Sequence, residues 1–184
     1  LASGRDIGFD VASIDIGIHS EMPDIPGFRA HAVGAKPLDQ FAKTWRDHLE
    51  RIKLGAANGK VAVIGGGVAG FELALTMGEA IRGTGVIPEI VVIDRSAPLD
   101  GVGPRARGVL MAALAGIGGR VEAGAEVAEI SADHIVLTDG RQIDTAFCVG
   151  VAGAMPHAFN TASGLPLERG FIRVNRYLQS ESAA

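Results

Sequence analysis

The sequence predicts an α/β domain: a parallel β-sheet with helices on both faces and a small antiparallel three-stranded meander set into one crossover. Three observations predict it. Between residues 60 and 150, short Val/Ile-rich runs without polar alternation alternate with helical patterns, as expected of parallel strands buried on both faces. Hydrophobic residues are 47% of the chain but aromatics only 5%, so the core is Val, Ile, Leu and Ala. Glycine supplies 26 of 184 residues, about twice the usual ~7%. With no collagen-like period, those glycines serve turns and close backbone approaches.

In the first segment, 1–58, Asp10 to Gly17 alternates and reads as a strand. Met22 to Gly27, with Pro23 and Pro26, reads as a loop. Pro37 opens a helix whose apolar positions Leu38, Phe41, Trp45, Leu49 and Ile52 recur at spacings of three and four. Trp45 is read as core on that face rather than as a stacking platform for a ligand. In the second segment, 59–150, Lys60 to Ile64 is a short strand and Val68 to Arg82 a helix, apolar nearly all round and so expected to be buried. Ile90 to Ile93 is a central parallel strand. Pro104 to Ile117 is a second helix, ended by Gly116, Gly118 and Gly119, and Val121 starts a short strand. Glu126–Ser131, His134–Thr138 and Gln142–Asp144 alternate, with the hairpin signal Asp139-Gly140 between the last two. Phe147 to Val149 returns as a buried strand. In the third segment, 151–184, Gly170 to Val174 reads as a strand, and no closing element follows it.

The formal net charge is -4, from 17 basic and 21 acidic residues, and the basic residues are scattered. That argues against nucleic acid and against a polybasic membrane patch. A single cysteine, Cys148, excludes an internal disulfide, a CxxC pair and a cysteine zinc site within these residues. Its apolar strand reads as the setting of a core thiol. The histidines lie far apart without HxH or HxxxH spacing, so no metal is expected. The most apolar stretch, Val61 to Met77, holds four glycines and Glu72 and is short for a bilayer. No signal peptide is visible. Membrane association is therefore not expected, and the location reads as cytoplasmic. The chain opens at Leu1 without an initiator methionine and reads as a fragment.

The chemistry is concentrated in Gly65-Gly66-Gly67-Val68-Ala69-Gly70, a GxGxxG pattern. It has the context that gives it meaning: an apolar strand before, a helix after, and an acid, Asp94, at the end of the next strand. Such a unit is a Rossmann-like dinucleotide fold. Gly65 permits a tight turn, Gly67 lets a pyrophosphate approach the backbone, and Gly70 lets the helix pack on the strand. The free N–H groups of the helix start then face the phosphates. Asp94, 24 residues after Gly70, is placed to accept hydrogen bonds from the adenine ribose. An acid there favours NADH over NADPH. The alternative is a glycine-rich turn without a ligand. Glu72 reads either as a structural salt-bridge partner or as a carboxylate near the nicotinamide end. Arg95 reads either as a solvated arginine or as a cation beside the adenine ribose.

Together these residues resemble the pyridine nucleotide-disulfide oxidoreductase superfamily, whose NAD-binding domain carries GxGxxGxE, matched by Gly65, Gly67, Gly70 and Glu72. The acid-terminated strand is matched by Asp94, the three-stranded crossover by 126–144, and the aTG-like return loosely by Val149-Gly150-Val151-Ala152-Gly153, which adds Gly150 to the expected cofactor-binding residues. The flanks Ser13–Gly17, Lys36-Pro37, Gly170–Val174 and Leu178–Ser180 look like the type II NADH dehydrogenase branch, and most like the flavoprotein domain of some selenide, water dikinases. The resemblance implies an NAD(P)-binding domain (59–150) between partial FAD-domain segments (1–58 and 151–184). FAD would belong to the full-length protein and is not expected bound to this chain; the missing FAD-domain residues would be its partner. Hydride would pass from NAD(P)H to the flavin, with no catalytic side chain in these residues. The alternative is a stand-alone dinucleotide-binding module without redox turnover.

Overall fold

The computed structural model describes residues 4–19, 24–151 and 153–181. In chain order the elements are α1 (Phe28–His31), β1 (Ala32–Gly34), α2 (Leu38–Lys53), β2 (Lys60–Ile64), α3 (Val68–Arg82), β3 (Glu89–Asp94), α4 (Pro104–Gly116), β4 (Arg120–Ala123), β5 (Val127–Ile130), β6 (His134–Leu137), β7 (Gln142–Asp144), β8 (Phe147–Gly150), α5 (Ala158–Ala162), β9 (Leu167–Glu168) and β10 (Phe171–Ile172). Five strands form one sheet in the order β1-β8-β2-β3-β4, with every neighbouring pair parallel. β5, β6 and β7 form a separate antiparallel sheet, and β9 and β10 a short hairpin.

The two-residue period of a strand sorts the side chains into two cores. Val61, Val63, Ile90, Val92, Phe147 and Val149 pack with Phe41 and Ile52 of α2, Phe71, Met77 and Ile81 of α3 and Leu114 of α4. Ala62, Val91, Ile93 and Cys148 point the other way, onto Phe28 of α1 and onto Val127, Ile130, Ile135, Leu137 and Ile143 of the meander. Strands covered on both faces need no polar alternation, which is why β2, β3 and β8 read as continuous apolar runs. Helices lie on both faces, but unequally. The three long ones share one face, and the one-turn α1 shares the other with the meander. Residues before 59 contribute β1 to the sheet edge and α2 to the helix-side core.

Four local expectations need correction. The helix α3 is not buried all round. Phe71, Ala74, Met77, Gly78 and Ile81 are buried, whereas Val68, Ala69, Glu72 and Thr76 are exposed, because α3 is an outer layer with the sheet on one side only. Residues 10–17 form no strand. They run exposed, and the first pairing nearby is a single antiparallel bridge between His19 and Met155. An alternating segment becomes a strand only where a neighbouring backbone takes up its groups, and what meets this segment is a side chain: His157 Nε2 lies 2.9 Å from the Ile16 carbonyl. The strand expected over 170–174 shrinks to the two residues of β10. Finally, α1 and β1 were not anticipated, since four and three residues are too short to show a period. Of the loop expected over Met22–Gly27, Met22 and Pro23 lie outside the described residues.

Candidate functional site

The parallel strands bring Ile64, Asp94, Gly150 and Gly34 to one edge of the sheet. In open α/β sheets ligands gather at this carboxyl edge. Here Gly65 leaves β2 with φ 118, a conformation that side chains rarely adopt, and its N–H donates to the Ile93 carbonyl at 2.9 Å. The Gly66 N–H turns into the Asp94 carboxylate, and the Gly66 carbonyl accepts the Leu99 N–H at 2.7 Å. Gly67 is the N-cap of α3 and offers no side-chain cap. The first N–H groups of α3 therefore lack intrahelical acceptors and carry partial positive charge.

The glycines divide by what a Cβ would meet. At Gly70 it would lie 1.9 Å from the Gly65 carbonyl oxygen, and at Gly66 2.9 Å from Asp94 Cβ and Oδ2. Gly70 needs glycine because backbone lies against it, and Gly66 because the Asp94 side chain does. At Gly67 a Cβ would meet nothing within 4 Å, and Val68 and Ala69 beside it are exposed. The loop thus packs tightly on its inner side and is open at Gly67.

Asp94 is half-buried. Burial pushes its carboxyl up, but the Ser96 hydroxyl, the Ser96 N–H, the Gly66 N–H and the Arg95 charge together outweigh it and hold the group below its ordinary 3.8. Ser96 Oγ and N both donate to Oδ1, at 2.7 and 2.8 Å. Arg95 is exposed. On the other side of the loop, along the exposed face of α3, runs a cleft of about 320 Å³ lined by Lys36, Phe41, Glu72, Leu73, Thr76 and Val151 among others. Glu72 lies in this cleft, exposed rather than buried on the helix; the Thr76 hydroxyl donates to its backbone carbonyl at 2.6 Å. Gly150 lies beside Ile64 at the same edge. Its carbonyl accepts the Ala35 N–H at 2.8 Å, and a Cβ on it would stand 2.5 Å from Phe28 Cζ, so the packing of Phe28 requires glycine there. Ala152 of the return turn lies outside the described residues.

The remaining candidates fall into the core. Cys148 is 2% exposed, and burial pushes its thiol up to about 12, far from a reactive thiolate. Trp45 packs against the helix-side core, edge-on to Phe147 with centroids 5.2 Å apart. Among the described residues no three His, Cys, Asp or Glu side chains converge on a possible metal position, and no helix is long and apolar enough to cross a membrane. Sequence reasoning missed Ser96, Leu99 and Thr76, and it read Lys36 only as part of a flank, without a place in the cleft. Only Ser96 had a local signal, two residues past the acid, where a short hydroxyl reaches back to it.

The chain's likenesses agree with this geometry. The profile of the pyridine nucleotide-disulphide oxidoreductase family matches residues 2–183. Demethylphylloquinone reductase NdbB of Synechocystis sp. is 25% identical over 182 residues, covering 96% of this chain and 44% of that protein. The ferredoxin reductase for the CYP199A2 system of Rhodopseudomonas palustris superposes with TM-score 0.69 at 25% identity, over 85% of this chain and 38% of the other. The water-forming NADH oxidase of Lactobacillus brevis, bound to NADH, gives TM-score 0.69 at 20% identity, over 89% and 35%. The chain spans less than half the length of each of these relatives.

Proposed function

The chain belongs to the pyridine nucleotide-disulphide oxidoreductase family, and from that premise we propose that it is the NAD(P)H-binding part of an FAD-dependent oxidoreductase, with NADH preferred. The observation that carries the reading is the contrast within one loop. Gly66 and Gly70 are closed by protein atoms, while Gly67 opens onto free space beside the uncapped start of α3. In this reading the loop Gly65–Gly70 takes the pyrophosphate on its N–H groups. Asp94, held ionised, accepts from the adenine ribose, with Arg95 beside it. Glu72 and Thr76 in the adjoining cleft orient the nicotinamide end. Bound nicotinamide supplies a hydride, and an FAD held chiefly outside these 184 residues accepts it. The side chains here bind and orient; none is assigned a proton to move.

Calorimetric titration with NADH tests the reading. The chain is expected to bind one equivalent saturably. Gly67→Val places a branched side chain where the pyrophosphate would lie, and is expected to abolish that heat while leaving the circular dichroism spectrum unchanged. Equal NADH affinity in the two chains would reduce the loop to a turn.

A further inference from the structure

One polar side chain near the site has no part in the reading above. Arg107, in the first turn of α4, donates from Nη2 to the Leu99 carbonyl at 3.0 Å. Its Nε is buried without a hydrogen-bond partner, an arrangement that disfavours folding by itself. Leu99 is also unusual. It adopts φ 55, rare for a branched residue, yet its side chain is 1% exposed in the helix-side core. Its carbonyl also accepts the Val102 N–H at 3.0 Å, and its own N–H donates to the Gly66 carbonyl at 2.7 Å.

That last bond has a geometric consequence. The Gly66 carbonyl and the Gly67 N–H belong to one trans peptide unit, so they point in opposite directions. Fixing the carbonyl onto Leu99 turns the Gly67 N–H away from Leu99, at the residue beside which a Cβ would meet nothing. The neighbouring peptide is fixed as well, because the Gly66 N–H is committed to Asp94. Leu99 holds the carbonyl while in its left-handed conformation, and Arg107 is the side chain that bonds Leu99 there.

We propose that Arg107 is a positioning residue for dinucleotide binding: through Leu99 it sets the Gly66–Gly67 peptide so that the Gly67 N–H is presented to the pyrophosphate. The proposal rests on the dinucleotide reading of the loop and adds to it a residue that touches no ligand. Without the bond from Arg107 to Leu99, the peptide can rotate and present its carbonyl, an acceptor, to an anion.

The test pairs an affinity with a readout taken without nucleotide. Arg107→Met keeps the apolar stem and removes the donor. It is expected to weaken both NADH and ADP-ribose, which share the pyrophosphate, by about tenfold, with an unchanged thermal midpoint. In the nucleotide-free, 15N-labelled chain the Gly67 amide resonance is expected to shift while those of β5–β7 stay in place, a pattern that general loss of stability does not produce. Arg107→Lys keeps the charge and a single-headed donor, and is expected to fall between Arg107→Met and the parent in both readouts. Parent-like NADH affinity and an unmoved Gly67 amide in both variants overturn the proposal. A parent chain that fails to bind NADH overturns the dinucleotide reading instead, and the amide resonance still decides whether Arg107 sets the peptide.

Discussion

Two residues at opposite ends of the parallel sheet, His48 and Asp94, treat charge in opposite ways. Near the amino end, His48 is 4% exposed beside Trp45 and Phe147, with centroids 5.7 and 5.0 Å away. Burial pushes its pKa down to about 4, Arg51 pushes the same way, and the backbone of Asn58 resists, so the ring is neutral at neutral pH. At the carboxyl end Asp94 also suffers burial, but Ser96, Gly66 and Arg95 hold it ionised. Depth alone therefore does not decide whether a group keeps its charge; the donors aimed at it do. At His48 the site excludes charge and secures the fold. Asp94 retains charge, next to an open glycine.

The largest expected effect breaks the carboxyl end outright. Gly70→Ala drives a Cβ to 1.9 Å from the Gly65 carbonyl oxygen. Overpacking usually costs ~1–3 kcal/mol, but here the atom struck is backbone, and a loss of about 4 kcal/mol is expected. Gly67 has φ -73 and open space, so Gly67→Ala is expected to stay within about 0.5 kcal/mol of the parent. Urea midpoints of the two variants check this. Equal stabilities would mean that the loop does not pack against α3 as described.

The next effect belongs to the amino end. The folded pKa of His48, about 4, lies below its ordinary 6.5, so between these values the unfolded chain binds more protons. The contribution of neutral His48 is fully present above pH 6.5 and is lost as the pH falls toward 4. At about 1.4 kcal/mol per pKa unit, the loss approaches roughly 3 kcal/mol. The depressed carboxylates Asp94 and Glu122 act lower, below their ordinary 3.8 and 4.5. Replacing the ring by His48→Phe is expected to flatten the stability curve between pH 7 and pH 4. Parallel curves for parent and variant in denaturant titrations would show that His48 protonates freely in the folded chain.

The carboxyl end was the more legible of the two in the sequence, because local and tertiary demands coincide there. The β-branched run of β2, the glycines after it and the acid ending β3 each have a signature on their own, and the structure brings Gly65, Gly67, Gly70 and Asp94 to one edge. What stayed hidden depends on neighbours. The exposed side of α3 follows from there being no layer of described residues over it. The bond from Arg107 to Leu99 follows from a left-handed residue that no pattern announces. Residues 10–17 alternate correctly, yet alternation is necessary for a strand and not sufficient. Gly150 matched a turn pattern, and that Phe28 also requires glycine there is visible only once the chain is folded. At the amino end one signal was readable and went unused. Phe41, Trp45, His48 and Ile52 are spaced by four, three and four, so His48 lies on the buried stripe of α2.

The smallest expected effect sharpens what the retained charge is for. Ser96 makes two hydrogen bonds to Oδ1 of Asp94 and the Gly66 N–H makes one to Oδ2. A carboxylate offers about four acceptor positions, so the one left lies on Oδ2, where a ribose 2′-hydroxyl can donate. A 2′-phosphate has no proton to give there at neutral pH beyond a fraction, and meets a carboxylate kept ionised by its neighbours. Arg95 works in the other direction, since it can pair with a 2′-phosphate. It is exposed, however, and exposed ion pairs contribute only ~0–1 kcal/mol. Repulsion at the half-buried acid outweighs that, and NADH is expected to bind about tenfold more tightly than NADPH, about 1.4 kcal/mol. Calorimetric titration of both nucleotides at one salt concentration measures the ratio. Asp94→Asn is the informative variant, because the charge is gone while the one remaining oxygen still accepts from Ser96; the amide nitrogen then facing the Gly66 N–H cannot accept, a loss that both nucleotides share and that cancels in their ratio. The NADH advantage is expected to shrink toward parity as NADPH binding improves. Tighter NADPH binding by the parent chain would show that Arg95, rather than Asp94, reads the ribose.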